Sequence, residues 1–250
     1  MKTDQFDSFD GVRLAIHRFG VGRPVILLHG LFSSAQMNWI RFGHAEKLAA
    51  AGFEVLMPDL RTHGDSDKPH DPAAYPDDVL VRDVEAIVAG LKLSEFDLVG
   101  FSLGARTAFA CVAAGMKPNK LVLAGMGLES LSNWGERIEF FIDTIDRIDE
   151  IKRDDPAFMH ASFIKSQKTD LVASRLLLSS LHWSHGSAMD AVTMPTMVLC
   201  GSEDRDNGSP EELAEALPDA RYVEIPGTHM GSVTQGELGD ALVEFLSEKP

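Results

Sequence analysis

Ser102 lies in the sequence Gly100-Phe101-Ser102-Leu103-Gly104, which matches the pattern G-x-S-x-G. Glycine at both outer positions permits a sharp turn between a strand and a helix, because larger side chains there would collide with the backbone. Such a turn exposes the serine hydroxyl beside the free N–H groups of a helix N-terminus. An apolar segment, 96–99, precedes the turn and an alanine-rich segment, 105–114, follows it. This placement favours a nucleophilic serine over an ordinary turn serine.

A nucleophilic serine needs a base, and the base needs an acid that orients it. Asp204 follows the apolar segment 196–200, and His229 follows the segment 221–225. Each of the three residues therefore comes directly after a candidate strand. We predict that Ser102, His229 and Asp204 act together as nucleophile, base and acid.

Other residues could fill the same roles. Asp206 and Glu129 are alternative acids, and Glu129 would act from a different strand end. The other conceivable bases are histidines that do not directly follow a predicted strand: His63, His160, His182 and His185. No spacing of histidines or cysteines is typical of a metal site, so we expect no metal and no cofactor.

The elements that must position these residues alternate along the chain. The predicted strands are 12–19, 24–28, 53–57, 96–99, 120–124, 196–200 and 221–225. The predicted helices between them are 37–51, 77–91, 105–114, 210–217 and 238–246. Alternation of apolar strands with helices predicts an α/β fold with a doubly wound, mostly parallel sheet. Active sites of such sheets lie at the carboxyl ends of the strands.

One stretch of the chain breaks this alternation. Three helical segments, 134–151, 158–167 and 171–182, follow one another with no strand between them. We predict a helical cap or lid over residues 127–191, inserted into a core domain made of residues 1–126 and 192–250.

Four motifs resemble those of the α/β-hydrolase fold superfamily. They are Leu28-His29-Gly30-Leu31, the loop 59–69, the Ser102 turn and Gly227-Thr228-His229. The loop departs from the family pattern D-x-R-G-x-G-x-S-x-x-P at Thr62, where glycine is usual. The resemblance extends over essentially the whole chain and implies an eight-stranded sheet with a helical cap.

The resemblance also implies roles for individual residues. Ser102, Asp204 and His229 match the family's nucleophile, acid and base, and the family spacing after Gly201 favours Asp204 over Asp206. The oxyanion-hole amides would be those of Leu31 and Leu103. Physically, two N–H groups aimed at the developing oxyanion each lower the barrier by about 3 kcal/mol.

The expected function is hydrolysis of a small-to-medium, uncharged or weakly polar ester, thioester or lactone through an acyl-enzyme. A carbon–carbon bond hydrolase or a perhydrolase could use the same residues, and a non-catalytic small-molecule receptor could use the same fold. The superfamily's epoxide hydrolases and dehalogenases use aspartate at the nucleophile position, so Ser102 disfavours them. The predicted pocket residues are mainly aromatic: Phe32, Trp134, Phe141, Trp183 and Met230.

Composition limits the partners. The 23 Lys and Arg residues against 38 Asp and Glu residues give a net charge of −15. This charge disfavours nucleic acid and anionic membrane surfaces, both of which require basic patches. The N-terminal residues contain no apolar signal-peptide core. We expect a cytoplasmic enzyme that acts on a small molecule, and the sequence predicts no particular oligomeric state.

Overall fold

The computed structural model describes residues 1–132, 134–181 and 188–249. Its eight strands are β1 (Lys2–Asp7), β2 (Arg13–Phe19), β3 (Arg23–Leu28), β4 (Phe53–Pro58), β5 (Asp97–Phe101), β6 (Leu121–Ala124), β7 (Thr196–Gly201) and β8 (Ala220–Ile225). They form one sheet in the order β1-β2-β4-β3-β5-β6-β7-β8. Strand β2 pairs antiparallel with both β1 and β4, and the other pairs are parallel. The predicted mostly parallel eight-stranded α/β sheet is confirmed.

The nine α-helices among the described residues are α1 (His44–Ala50), α2 (Val79–Gly90), α3 (Leu103–Ala113), α4 (Trp134–Asp146), α5 (Phe158–Ser166), α6 (Leu171–Ser180), α7 (Pro210–Ala216), α8 (His229–Ser232) and α9 (Gly236–Ser247). None of them combines the length and the apolar run that crossing a membrane requires.

Helices cover both faces of the sheet, which explains why its central strands are mostly apolar. In β3, Ile26 and Leu28 pack on one face with α2, α3 and α7. The alternate residues Val25 and Leu27 pack on the other face with α1 and α9. Because successive side chains of a strand point to opposite faces, a strand buried on both sides must be apolar at every position.

One predicted helix was wrong, and one strand of the sheet had no segment assigned to it from the sequence. The helix predicted over 37–51 is interrupted: Gln36–Ile40 forms a π-helical turn, and α1 starts only at His44. Gly43 between them has φ +80°, a left-handed conformation that a continuous right-handed helix cannot contain. Strand β1 was not predicted at all, because its residues are exposed or half-buried and carry no apolar pattern.

The described residues between β6 and β7 form helices and turns. Helices α4, α5 and α6 contribute a separate apolar cluster that includes Phe141, Ile145, Ile164 and Leu178. Phe32, from the loop after β3, belongs to the same cluster. These helices therefore pack over the carboxyl end of the sheet, on the side where β3 ends. Division into a core and a cap at residues 127 and 191 stays a prediction.

Candidate active site

Ser102 lies in the turn between β5 and α3 with φ +54° and ψ −112°. This conformation is rare for a residue with a side chain, and it turns the chain sharply from strand to helix. The flanking glycines are needed for close contacts. A Cβ atom on Gly100 would lie 2.2 Å from the main-chain oxygen of Gly104, and a Cβ atom on Gly104 would lie 2.1 Å from that of Leu28. The turn therefore requires glycine at both positions.

The structure brings Ser102, His229 and Asp204 together in a chain of hydrogen bonds. Ser102 Oγ lies 3.0 Å from His229 Nε2. His229 Nδ1 lies 2.8 Å from Asp204 Oδ2. With Nδ1 donating to the carboxylate, Nε2 is left as the acceptor for the serine hydroxyl proton. The imidazole is thereby oriented as a general base toward Ser102.

Three strand ends supply these residues. Ser102 follows β5, Asp204 follows β7 and His229 follows β8. His229 begins the short helix α8, whose N-terminal end is capped by Thr228 through its side-chain oxygen, 3.1 Å from Gly231 N. Asp204 and His229 are both buried. Burial removes competing water from the carboxylate–imidazole hydrogen bond and strengthens it.

The alternative acids lie close by but are not bonded to His229. Asp206 is exposed, and its main-chain N–H donates to Asp204 Oδ1 at 3.3 Å. Glu129 lies in the 3-10 turn Leu128–Leu131 and borders a second cavity of about 250 Å³. The geometry thus selects Asp204 as the carboxylate partner of His229.

Leu31 and Leu103, the predicted oxyanion-hole residues, line the same cavity as Ser102. Leu103 is the first residue of α3, so its N–H has no acceptor within the helix. Hydrogen bonds fix the residues on either side of Leu31. Gly30 N donates to Asn38 Oδ1 at 3.1 Å, and Phe32 N donates to His63 Nε2 at 3.0 Å.

His63 is a buried neutral ring that supports this loop. Its Nδ1 donates to the main-chain oxygen of Arg61 at 2.9 Å, so its Nε2 is free to accept the Phe32 N–H. Burial lowers the pKa of His63 to about 3, which keeps the ring uncharged. His29 also supports a loop, because its Nε2 accepts the N–H of Leu60 at 2.9 Å. Neither histidine is bonded to Ser102.

The loop 59–69 is tied to its surroundings by charged side chains. Asp59 accepts hydrogen bonds from the N–H groups of Ala35 and Asp65, both at 2.8 Å. Together with the hydrogen bond from His17, they overcome burial and lower its pKa to about 2.

Two charged residues of the loop form ion pairs with residues outside it. Arg61 forms ion pairs with Asp10 and Asp83, and Asp67 pairs with Arg13 of β2. The loop is therefore fixed against β2 and α2, which positions His63 beneath the Leu31 segment.

Four of the five predicted pocket residues line a cavity of about 300 Å³ that contains Ser102 and His229: Phe32, Trp134, Phe141 and Met230. Met230 is half-exposed, as expected for a residue at the cavity mouth. The fifth, Trp183, lies outside the described residues, as do His182 and His185.

Sequence reasoning missed several cavity residues. Arg137 and Phe163 come from the helices between β6 and β7, and His160 had been considered only as a base. The sequence does indicate that Arg137 belongs with the predicted pocket residues. Arg137 follows Trp134 by three residues and precedes Phe141 by four, so the three side chains share one face of a helix. Phe101 and Val233 also line the cavity, from the serine turn and from the end of α8.

Two groups of side chains among the described residues are close enough to hold a metal ion: His17, Asp59 and Asp65, and Asp204, Asp206 and His229. In the first group His17 Nε2 already binds Asp59 at 3.0 Å. In the second group both ring nitrogens of His229 are occupied by hydrogen bonds. Both groups are thus explained by hydrogen bonding within the protein.

Comparisons with known proteins assign the fold family. Residues 23–159, more than half of the chain, match the family model described as the alpha/beta hydrolase fold. The chain belongs to this family. The family's homologues include hydrolases and esterases, which supports an enzyme.

Individual members of the hydrolase family show moderate similarity to the chain. The AB hydrolase superfamily protein YisY of Bacillus subtilis (strain 168) is 28% identical over 219 residues, which is 78% of this chain and 79% of that protein. An epoxide hydrolase of Caballeronia sordidicola is 29% identical over 182 residues, which is 72% of this chain but only 52% of that protein. An esterase from Exiguobacterium antarcticum has a TM-score of 0.75 at 19% identity, with 99% and 100% of the two chains covered. At that identity the similarity concerns the fold alone.

Proposed function

We propose that this hydrolase cleaves a small-to-medium ester, thioester or lactone through an acyl-enzyme on Ser102. One observation carries the proposal: the hydrogen-bonded chain from Ser102 Oγ to His229 at 3.0 Å and from His229 to Asp204 at 2.8 Å. This chain ends at a serine that opens into a cavity of about 300 Å³. A buried carboxylate, an oriented imidazole and an accessible hydroxyl are the parts that nucleophilic acyl transfer requires.

The first step forms the acyl-enzyme. Ser102 Oγ attacks the carbonyl carbon while His229 Nε2 takes the hydroxyl proton, and Asp204 stabilises the resulting imidazolium. The N–H groups of Leu31 and Leu103 donate to the oxyanion of the tetrahedral intermediate. When the intermediate collapses, His229 returns the proton to the leaving oxygen or sulfur, and the carbonyl carbon stays bound to Ser102.

The second step releases the acid. Water loses a proton to His229 Nε2 and attacks the acyl carbon, and the same two amides hold the second oxyanion. Collapse breaks the bond to Ser102 Oγ, which recovers its proton from His229. In a lactone the leaving alkoxide remains attached to the acyl group, so the single product is a hydroxy acid.

Epoxide opening is the activity named for one of the relatives, but Ser102 argues against it here. The family's epoxide hydrolases use an aspartate at the nucleophile position, and this chain has serine. Carbon–carbon bond hydrolysis and perhydrolysis remain alternatives, since both would use the same hydrogen-bonded residues.

The test compares the native chain with Ser102→Ala on a panel of substrates: 4-nitrophenyl butyrate, its thioester, a δ-lactone, a vinylogous diketone and styrene oxide. We expect turnover of the ester, thioester or lactone, and a loss on the order of 10⁶-fold in kcat for Ser102→Ala. Equal, negligible turnover by both proteins would support a binding protein instead. Turnover of the diketone or the epoxide alone would contradict acyl transfer from an ester.

A further inference from the structure

We propose that the substrate of this hydrolase carries a carboxylate, and that Arg137 of α4 binds it inside the cavity that contains Ser102. The inference rests on the proposed function, because it concerns the substrate of the same site. It departs from the uncharged or weakly polar substrate that the sequence alone favours.

Arg137 lies in the cavity wall between two aromatic residues of the same helix. Trp134, Arg137 and Phe141 follow one another at helical spacing, and all three line the cavity with Ser102. Arg137 is half-buried, and its guanidinium carbon lies 5.6 Å from the ring centre of Phe141. Most of the neighbouring wall is apolar, with Phe32 as a further aromatic member. A charged ligand group entering such a wall needs a counter-charge beside it.

Toward the residues that the structure describes, the guanidinium of Arg137 makes one hydrogen bond. Its Nη1 donates to the main-chain oxygen of Asp206 at 2.6 Å, which is not a carboxylate oxygen. A guanidinium has five N–H donors in a planar arrangement, so it can also hold a carboxylate through two parallel bonds. A planar carboxylate is the ligand that fits this edge best.

The charges around Arg137 do not fully compensate its positive charge. The carboxylates of Asp206 and Asp204 raise the pKa of Arg137, but burial outweighs both and lowers it. The buried Arg61 shows how such a charge is compensated directly: it forms ion pairs with Asp10 and Asp83. A substrate carboxylate would provide for Arg137 the same direct compensation.

The protein as a whole repels anions, which makes the local cation important. The net charge is −15, so the overall electrostatic field of the protein does not attract an anionic substrate. Affinity for a carboxylate must therefore come from a contact at short range. Two arginines line the cavity with Ser102, the exposed Arg41 and the half-buried Arg137, and the half-buried Arg137 provides such a contact at the site of the reaction.

The test measures preference for an anionic acyl group. The substrates are the 4-nitrophenyl half-esters of succinate, glutarate and adipate, each compared with its neutral methyl ester of the same chain length. For at least one chain length we expect kcat/KM to be roughly tenfold or more higher for the half-ester, which corresponds to about 1.4 kcal/mol. In Arg137→Met this ratio should fall to near one, and Arg137→Lys should restore part of it.

Arg153→Met is the matched control. Arg153 is exposed in the segment between α4 and α5, and its replacement removes the same single charge. This variant should keep the preference of the native protein. If Arg153→Met and Arg137→Met lower the ratio equally, the preference comes from the general field and the inference is overturned.

The outcomes separate this inference from the proposed function. If the native protein hydrolyses neutral esters through Ser102 but shows no preference for any half-ester, the carboxylate inference fails while the hydrolase remains. If neither ester type is turned over above the level of Ser102→Ala, the proposed function itself fails. Circular dichroism and the urea unfolding midpoint of Arg137→Met show whether a lost preference accompanies a folded protein.

Discussion

Replacement of His63 by phenylalanine should lower catalysis without touching the substrate. His63 Nε2 accepts the N–H of Phe32 at 3.0 Å, and Nδ1 donates to the oxygen of Arg61 at 2.9 Å. Phenylalanine keeps a ring in the same space but removes both hydrogen bonds. The Phe32 peptide, which has φ +57°, would lose the contact that holds it in this conformation. The neighbouring amide of Leu31 would then no longer be fixed toward the site.

The magnitude follows from the two hydrogen bonds. Each buried backbone group left without a partner costs about 1–3 kcal/mol, so the loss of two partners should lower the unfolding free energy by about 2–6 kcal/mol. Loss of a complete oxyanion donor lowers kcat by about 10²–10³-fold. Because the Leu31 amide would be loosened and not removed, we expect a decrease of about 10- to 100-fold in kcat with little change in KM.

The assay combines steady-state kinetics with urea unfolding. His63→Gln should recover much of the activity, since its side-chain oxygen can take the place of Nε2 as an acceptor. Leu242→Ala in α9 is the stability control: this residue is fully buried in the core on the other face of the sheet, and its truncation costs about 2–5 kcal/mol. Leu242→Ala should keep the native kcat. A folded His63→Phe with native kcat would refute the reasoning.

Three further predictions concern other parts of the same network. Asp204→Asn should lower kcat by about 10⁴-fold while the fold is kept, because an amide can hold His229 in the wrong tautomer, and steady-state kinetics on a folded variant checks this. Thr62→Gly should raise the unfolding free energy by about 1 kcal/mol in urea titrations, because Thr62 has φ +75° and a β-branched residue is strained there. The unfolding free energy should also decrease in acid. Burial lowers the pKa of His63 from 6.5 to about 3, so the contribution of the neutral His63 ring to the unfolding free energy is complete above pH 6.5 and is lost as the pH falls toward 3. The unfolding free energy of His63→Gln, measured between pH 7 and 4, should therefore decline less steeply than that of the native protein.

The sequence predicted the sheet well because its central strands are buried on both faces. The segment 24–28 is apolar throughout and 197–200 is apolar after Thr196, a pattern that is typical of strands covered on both faces. The exposed edge strand β1 carries no such constraint, so no pattern marked it. The break at Gly43 was also missed, because a glycine within a helix-like pattern does not reveal its backbone angle.

The candidate site was predictable to the extent that strand ends carry it. Asp204 and His229 each follow a predicted strand, and in the structure His229 is hydrogen-bonded both to Asp204 and to Ser102. The support given by His63 was not predictable, because it depends on a contact between two loops that are far apart in the chain. Arg137 was missed for a related reason: helical spacing gave its face, but not the direction in which that face points.

The measurement that tests the central claim most directly is covalent labelling of the nucleophile. The native protein is treated with a fluorophosphonate, digested and analysed by mass spectrometry, with Ser102→Ala as the control. We predict a single phosphonylated residue, Ser102, with labelling that is abolished in Ser102→Ala and slowed strongly in Asp204→Asn. Labelling of a different residue, or equal labelling of Ser102→Ala, would contradict the assignment of Ser102 as the nucleophile of this hydrolase.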